Sequence, residues 1–301
     1  MAGRRRPSGP ALAALGRAAA DRASGAQAIT DRVLRALDRE LRGWRRLGPG
    51  DRARRARAIA RGLATAQPAM GLLVRWSAEW GSMARDRGAR DLDERLRGWA
   101  RRWRRRIDRE PRLVGRTVRR RFPPGSLLMT ISRGETVRRA LAGLPADVRP
   151  ARVLVLESRP GGEGRWLARD LRADGIRAVT IADATASRHL GEIDLVVIGA
   201  DAVEANGSVV HKVGTRALAR AADRRGVSLV VIAGASKWLP PGVRLRDVGK
   251  RFDRTPPRWI AEYWSDRGVR PGRSPHRLRR RAQREKRGPV GPPRRRSSRD
   301  A

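Results

Sequence analysis

Seven residues in the middle of the chain have the types and spacing to handle an anionic, phosphate-bearing ligand. Asp201 closes the run Gly199-Ala200-Asp201, and His211-Lys212 follows after an Asn206-Gly207 turn signal. An aspartate that ends an apolar segment can lose enough solvent for its pKa to rise into the range useful for moving protons. Its plainer reading is a helix cap or a salt bridge. Lys212 can bring a compact point charge to the same place. Ser132 and Arg133 lie in the small polar run Thr130–Thr136, which leaves backbone amides free to hold a phosphate while Arg133 adds charge. The run Glu157–Gly164 reads Glu-Ser-Arg-Pro-Gly-Gly-Glu-Gly. Pro160 stops a regular strand there, and the glycines allow close approach of backbone to ligand. Arg159 can clamp a phosphate or hold Glu157, and Glu163 adds a second carboxylate.

The elements that must position these residues are visible in the periodicity. Short apolar runs at Leu127–Ile131, Val153–Leu156, Ala178–Ile181, Leu195–Ile198 and Leu229–Ile232 alternate with amphipathic stretches at Glu135–Leu144, Gly164–Ala173 and Gly214–Ala222. Alternating strands and helices predict an α/β domain with a parallel sheet, in which ligands bind at the carboxyl ends of the strands. Each polar run above follows such a strand. His211 to Thr215 is expected to open the helix after Asn206-Gly207. A second lysine, Lys237, ends the last strand in Gly234-Ala235-Ser236-Lys237.

Residues 10–115 read as helices, rich in Ala, Leu and Arg with few β-branched side chains. Leu34, Leu37 and Leu41 form one apolar stripe, and Trp76/Trp80 and Trp99/Trp103 each share a helix face. The segment Arg97–Arg106 alternates arginine with tryptophan. It suits a nucleic-acid or membrane surface, or a helix whose tryptophans pack inward. The expected organisation is a helical domain over 1–115, a ligand-binding domain over 116–266, and a disordered Arg-rich tail over 267–301.

The 301 residues carry 70 Lys+Arg against 30 Asp+Glu, a net charge of +40. Residues 1–125 contribute +21, residues 126–266 only +7, and residues 267–301 the remaining +12. The excess therefore sits in the flanks, where it could make a non-specific RNA contact. Only four of the basic residues are lysines, which points to a genomic preference for arginine and singles out Lys212 and Lys237. There is no cysteine, so disulfides, thiolate metal sites and cysteine nucleophiles are excluded. No apolar run approaches the ~20 residues of a membrane span. Arg17 interrupts the apolar N-terminal stretch before it reaches signal-peptide length. A cytoplasmic protein without cofactor or metal is expected.

The motifs Thr130–Thr136, Glu157–Gly164, Gly199–Asp201, Asn206–Thr215 and Phe252–Pro257 stand in an order and spacing that resemble the initiation factor 2B alpha/beta/delta family. That family includes methylthioribose-1-phosphate isomerase and ribose-1,5-bisphosphate isomerase. The resemblance is close over 120–272 and loose before it, through Gln67-Pro68-Ala69-Met70. It implies a helical N-terminal domain, a Rossmann-like domain, dimers or larger oligomers, and a pocket for a sugar phosphate or nucleotide. The isomerases carry cysteine where this chain has Ser132, glutamine at Glu163 and asparagine at His211, and they pair the cysteine with the aspartate matching Asp201. Ser132-Arg133 and Glu163 resemble the regulatory initiation-factor subunits instead, while His211 matches neither branch.

The expected function is accordingly a non-catalytic, regulatory protein binding a sugar phosphate or nucleotide through Ser132, Arg133, Arg159, Glu163, Asp201, His211 and Lys212. The alternative is an aldose–ketose isomerase with Asp201 as acid/base and Ser132 or His211 in place of the cysteine. A nucleic-acid-binding role on the same scaffold rests on the arginine flanks alone.

Overall fold

The computed structural model describes residues 9–21, 26–86, 91–245, 248, 250–276 and 278. Five helices come first: α1 (Pro10–Ala20), α2 (Ala26–Gly43), α3 (Pro49–Ala66), α4 (Gly71–Arg85) and α5 (Leu92–Arg121). The leucine stripe of α2 is fully buried. Trp44, Trp76, Trp80, Trp99 and Trp103 pack on one another with centroids 5.2 to 6.4 Å apart, edge to face except for the tilted Trp99–Trp103 pair. The tryptophans of Arg97–Arg106 thus point inward, and both Trp99 and Trp103 donate their indole N–H to Glu79 Oε2 at 2.7 Å. Burial of the rings and satisfied N–H donors explain why this face is core. The buried carboxylate of Glu40 accepts the Ala11 amide and the Trp44 indole, locking α2 onto the first turn of α1.

Helix α5 carries the chain from one core to the next without a break. Its residues up to Ile107 pack among the helices, whereas Val114 and Val118 pack against the sheet. The expected division at 115/116 falls inside this helix.

The second half alternates β1 (Leu127–Ile131), α6 (Glu135–Ala142), β2 (Arg152–Leu156), α7 (Glu163–Ala173), β3 (Ala178–Ile181), α8 (Ala186–His189) and β4 (Leu195–Ile198). After it come β5 (Ala202–Val203), β6 (Val209–Lys212), α9 (Thr215–Arg224), β7 (Ser228–Ile232), β8 (Phe252–Thr255), β9 (Glu262–Ser265) and β10 (Gly268–Pro271). The main sheet runs β10-β9-β7-β4-β1-β2-β3, parallel except for β10. Strand order reverses between β1 and β4, so the switch-point crevice lies at their carboxyl ends. Both sheet faces are covered, which is why the strands read as continuous Val/Ile/Leu runs.

Three features depart from the sequence reading. His211 and Lys212 end strand β6 instead of opening a helix, and α9 begins at Thr215. The Asn206-Gly207 turn and the β-branched pair Val209-Val210 make a hairpin of β5 and β6, to which β8 adds a third strand. The start of the expected disordered tail is also structured. Residues 268–271 form an edge strand on β9, and Gly272 and Ser274 donate main-chain bonds to Ala261 and Ile260. The rest of the tail, from 279 on, lies outside the described residues.

Gly164 shows how tightly α7 meets β2. A β-carbon on it would overlap the carbonyl of Leu156. Gly164→Ala should therefore lower unfolding stability by about 1–3 kcal/mol, read from urea titration; an unchanged midpoint would contradict this packing.

Glu110 of α5 reaches the turn after β7, accepting the Ser236 amide at 2.7 Å and its hydroxyl at 2.6 Å. Burial pushes this carboxyl above its ordinary value; the Ser236 bonds oppose the rise, Asp266 adds to it, and Arg106 counters. A raised acid stabilises the fold below its ordinary pKa and loses that contribution as pH climbs through the raised one. The stability of wild type relative to Glu110→Gln should therefore grow as pH falls from 7 towards about 4. Parallel stability–pH curves for the two proteins would refute the assignment.

Candidate functional site

The residues at the ends of β1, β2 and β4 converge because parallel strands all finish on one edge of the sheet. Ser132 leaves β1 with φ +69°, a left-handed conformation that costs a non-glycine residue roughly 1–2 kcal/mol. Its amide donates to Ser158 Oγ at 2.6 Å. Ser158, after β2, has the same φ, and its hydroxyl donates to Leu156 O at 2.9 Å. Asp183, just past β3, accepts the amides of Ser158 at 2.8 Å and Arg159 at 2.7 Å. These loops are held by specific side-chain acceptors, which is how two strained serines persist.

Asp201 and His211 are brought together by the β5–β6 hairpin. The Asp201 amide donates to Val210 O at 2.9 Å, and His211 Nδ1 stands 3.1 Å from Asp201 Oδ2. An ionised carboxylate only accepts, so Nδ1 carries the hydrogen of that bond. The His211 side chain is 7% exposed, and its Nε2 is buried with no hydrogen-bond partner among the described residues. Nε2 lies beside Gly199 at the end of β4, near Val137 in the first turn of α6.

Consecutive residues of a strand face opposite sides, so Lys212 points away from His211. Its Nζ donates to Pro160 O at 2.6 Å and Glu163 Oε1 at 3.0 Å. The second carboxylate is thus compensated by Lys212, with Arg251 at 3.7 Å. Glu163 Oε2 is buried without a hydrogen-bond partner among the described residues, and the carboxylate folds over Gly161, whose φ of +112° only glycine adopts readily. Lys237 stands apart, in the turn gripped by Glu110.

Two arginines are drawn elsewhere. The Arg133 guanidinium binds Asp170 at 2.8 Å and lies 5.8 Å from the Trp166 ring, on the outer surface of α7. Arg159 holds Glu157 at 3.2 Å with its side chain largely exposed. Hydrogen bonds from Arg165 first, and from Arg159, keep the Glu157 carboxyl below the usual range.

Sequence reasoning missed three positioning residues. Asp183 orders the Ser158–Arg159 backbone. Asp253 accepts the amides of Gly214 and Arg216 at 2.7 and 3.1 Å, capping α9 beside the site; its place in the Phe252–Pro257 motif was the available signal. Gly71, at the start of α4, donates to Asp201 O at 3.1 Å, and a β-carbon there would overlap Ala202. The adjoining Gln67–Met70 segment was the only hint of this contact. Among the described residues no His/Asp/Glu cluster has metal-site geometry, and no helix is long and apolar enough to cross a membrane.

The chain is 31% identical over 198 residues to the ribose 1,5-bisphosphate isomerase of Haloferax volcanii, covering 56% of this chain and 60% of that protein. It is 42% identical over 94 residues to the methylthioribose-1-phosphate isomerase of Xylella fastidiosa, covering 30% and 27%. The chain thus spans less than two thirds of either relative. In fold it is similar to the Pyrococcus horikoshii translation initiation factor eIF-2B, with a TM-score of 0.71 at 24% identity, covering 86% of this chain and 96% of that one. A chain of the tetrameric eIF2B-beta2-delta2 complex from C. thermophilum matches with a TM-score of 0.70 at 17% identity, covering 89% and 91%. The profile of the Initiation factor 2 subunit family matches residues 25–242. With the helical half, the parallel sheet and the ordered strand-end motifs all in agreement, the chain belongs to the Initiation factor 2 subunit family.

Proposed function

We propose that the crevice between β1 and β4 binds a sugar phosphate and interconverts its aldose and ketose forms, with Asp201 and His211 as the acid/base pair. The observation that carries this reading is the buried contact of 3.1 Å between His211 Nδ1 and Asp201 Oδ2. The reaction moves a proton or hydride between C1 and C2 and needs groups able to give and take protons. A serine hydroxyl at position 132 is a poor acid and a poor base, and no side chain activates it among the described residues. An imidazole bonded to a carboxylate supplies the missing capacity without a thiol. The orphaned Nε2 can take a hydrogen bond from a ligand hydroxyl or give one to its carbonyl. Lys212 and the Gly161 amide supply the phosphate contacts. Similarity to proteins named as isomerases of ribose 1,5-bisphosphate and methylthioribose 1-phosphate supports a phosphorylated pentose as substrate. Similarity to a tetrameric complex supports assembly into oligomers.

A second reading, non-catalytic binding of a sugar phosphate or nucleotide with a regulatory output, is favoured by Ser132 itself and by the Glu163–Lys212 pair. That pair offers an incoming phosphate a lysine already holding a carboxylate.

The two readings separate by NMR-followed incubation with ribose 1,5-bisphosphate and with methylthioribose 1-phosphate. Turnover should fall by about 10²- to 10⁴-fold in Asp201→Asn and comparably in His211→Ala. Thermal stabilisation by sugar phosphate with no turnover in wild type would transfer the assignment to the regulatory reading. In either case Lys212→Ala should abolish that stabilisation; if stabilisation survives, the phosphate is held elsewhere.

A further inference from the structure

We infer a second ligand site, separate from the switch-point crevice, that takes a small organic anion carrying a flat apolar group. A cavity of about 430 Å³ opens between α4 and the β9–β10 hairpin, on the far side of β7 from β1. Arg75, Arg267 and Arg270 line it, and among the described residues no acidic side chain does. Arg75 is engaged internally, donating to the carbonyls of Ala235 at 3.2 Å and Trp238 at 3.1 Å and to Glu79 at 2.8 Å. Arg267 and Arg270 are exposed and have no ion-pair partner among the described residues; Arg270 lies 4.8 Å over the Trp238 ring. Two of the three arginines that line the cavity thus have no acidic partner among the described residues, and an anion would supply one.

Most of the remaining wall is apolar, led by Trp238, Leu239 and Val269, with Ser265 its one hydroxyl. Val269 is 44% exposed, one of three large apolar side chains so exposed among the described residues. A few charged groups beside an aromatic and aliphatic wall suit a ligand with one anionic end and one flat apolar end. The wall is also rigid before any ligand arrives. Glu110 holds Ser236, Asp266 accepts the Ala235 amide at 2.5 Å, Leu239 donates to Val203 O at 2.8 Å, and Trp238 packs on Tyr263 at 5.2 Å. A pre-ordered wall loses little conformational entropy on binding. The site does not depend on the isomerase reading.

Titration calorimetry of the full chain with phenyl phosphate, against inorganic phosphate, at about 0.15 M salt to screen non-specific attraction, tests this. Phenyl phosphate should bind more tightly than inorganic phosphate. Charge reversal in Arg267→Glu/Arg270→Glu should weaken it about a hundredfold, taking about tenfold for each lost charge-assisted contact. Val269→Ser, which leaves the charges in place, should lower phenyl phosphate affinity while inorganic phosphate binding stays as it was. Equal affinity for the two ligands, or unchanged phenyl phosphate binding in the charge-reversed protein, would overturn the proposal. So would a change in sedimentation mass on charge reversal without loss of binding, since the face would then be a subunit interface.

Discussion

The amide of Gly71 reaching the carbonyl of Asp201 at 3.1 Å is the contact on which the arrangement of the site depends. It is possible only because residue 71 has no side chain, so that helix α4 can abut the Asp201–Ala202 backbone. Through it the tryptophan-filled helical half bears directly on the loop that carries the acid. Asp201 is held from the other side by the main chain of β6, and that strand also delivers His211. One backbone position thus fixes the acid, its imidazole partner and the register of the hairpin together. Helical and sheet halves of this protein are one machine at that point, whatever boundary is drawn in the sequence.

Electrostatics in the crevice are arranged by pairing. Asp201 faces His211 and Glu163 faces Lys212, and both partners come from adjacent positions on one strand. Opposite side-chain directions along β6 keep the pairs apart. Arginines, by contrast, are used as surface braces here: Arg133 on Asp170, Arg159 and Arg165 on Glu157. Their forked guanidinium suits an exposed carboxylate, whereas the confined place beside Pro160 is filled by the slimmer ammonium of a lysine. In a chain with 70 basic residues and only four lysines, that choice of residue carries information.

Acidic residues do much of the positioning. Asp183, Asp253 and Glu110 each accept two main-chain or hydroxyl donors at strand ends. Each satisfies donors that a turn or helix start leaves unpaired. These roles were invisible beforehand because an acceptor's partner is set by distance in space. Asp183 and Ser158 are brought together by the pairing of β2 with β3, and Glu110 and Ser236 by the packing of a helix on the sheet.

What the sequence determined by itself was everything governed by local periodicity and composition. Five parallel strands, the helices between them and the location of Ser132, Glu163 and Asp201 after strand ends were legible. Each follows from the spacing of apolar side chains over a few residues, and the strand-end rule follows from the topology they imply. The tertiary structure alone decided which of those residues meet. Sequence grouped His211 with Asp201 in one site but not their direct contact, because the two are joined by a hairpin whose second strand was read as the start of a helix. It read Arg133 as a phosphate contact and left Arg159 between a phosphate and Glu157, because an exposed arginine chooses its carboxylate only when helix α7 and the β2 loop are in place. It also ended the ordered chain too early, since the short strand β10 has little apolar content of its own and is held by main-chain bonding to β9. Pairing across space is a property of register and packing, and those exist only once the chain has folded.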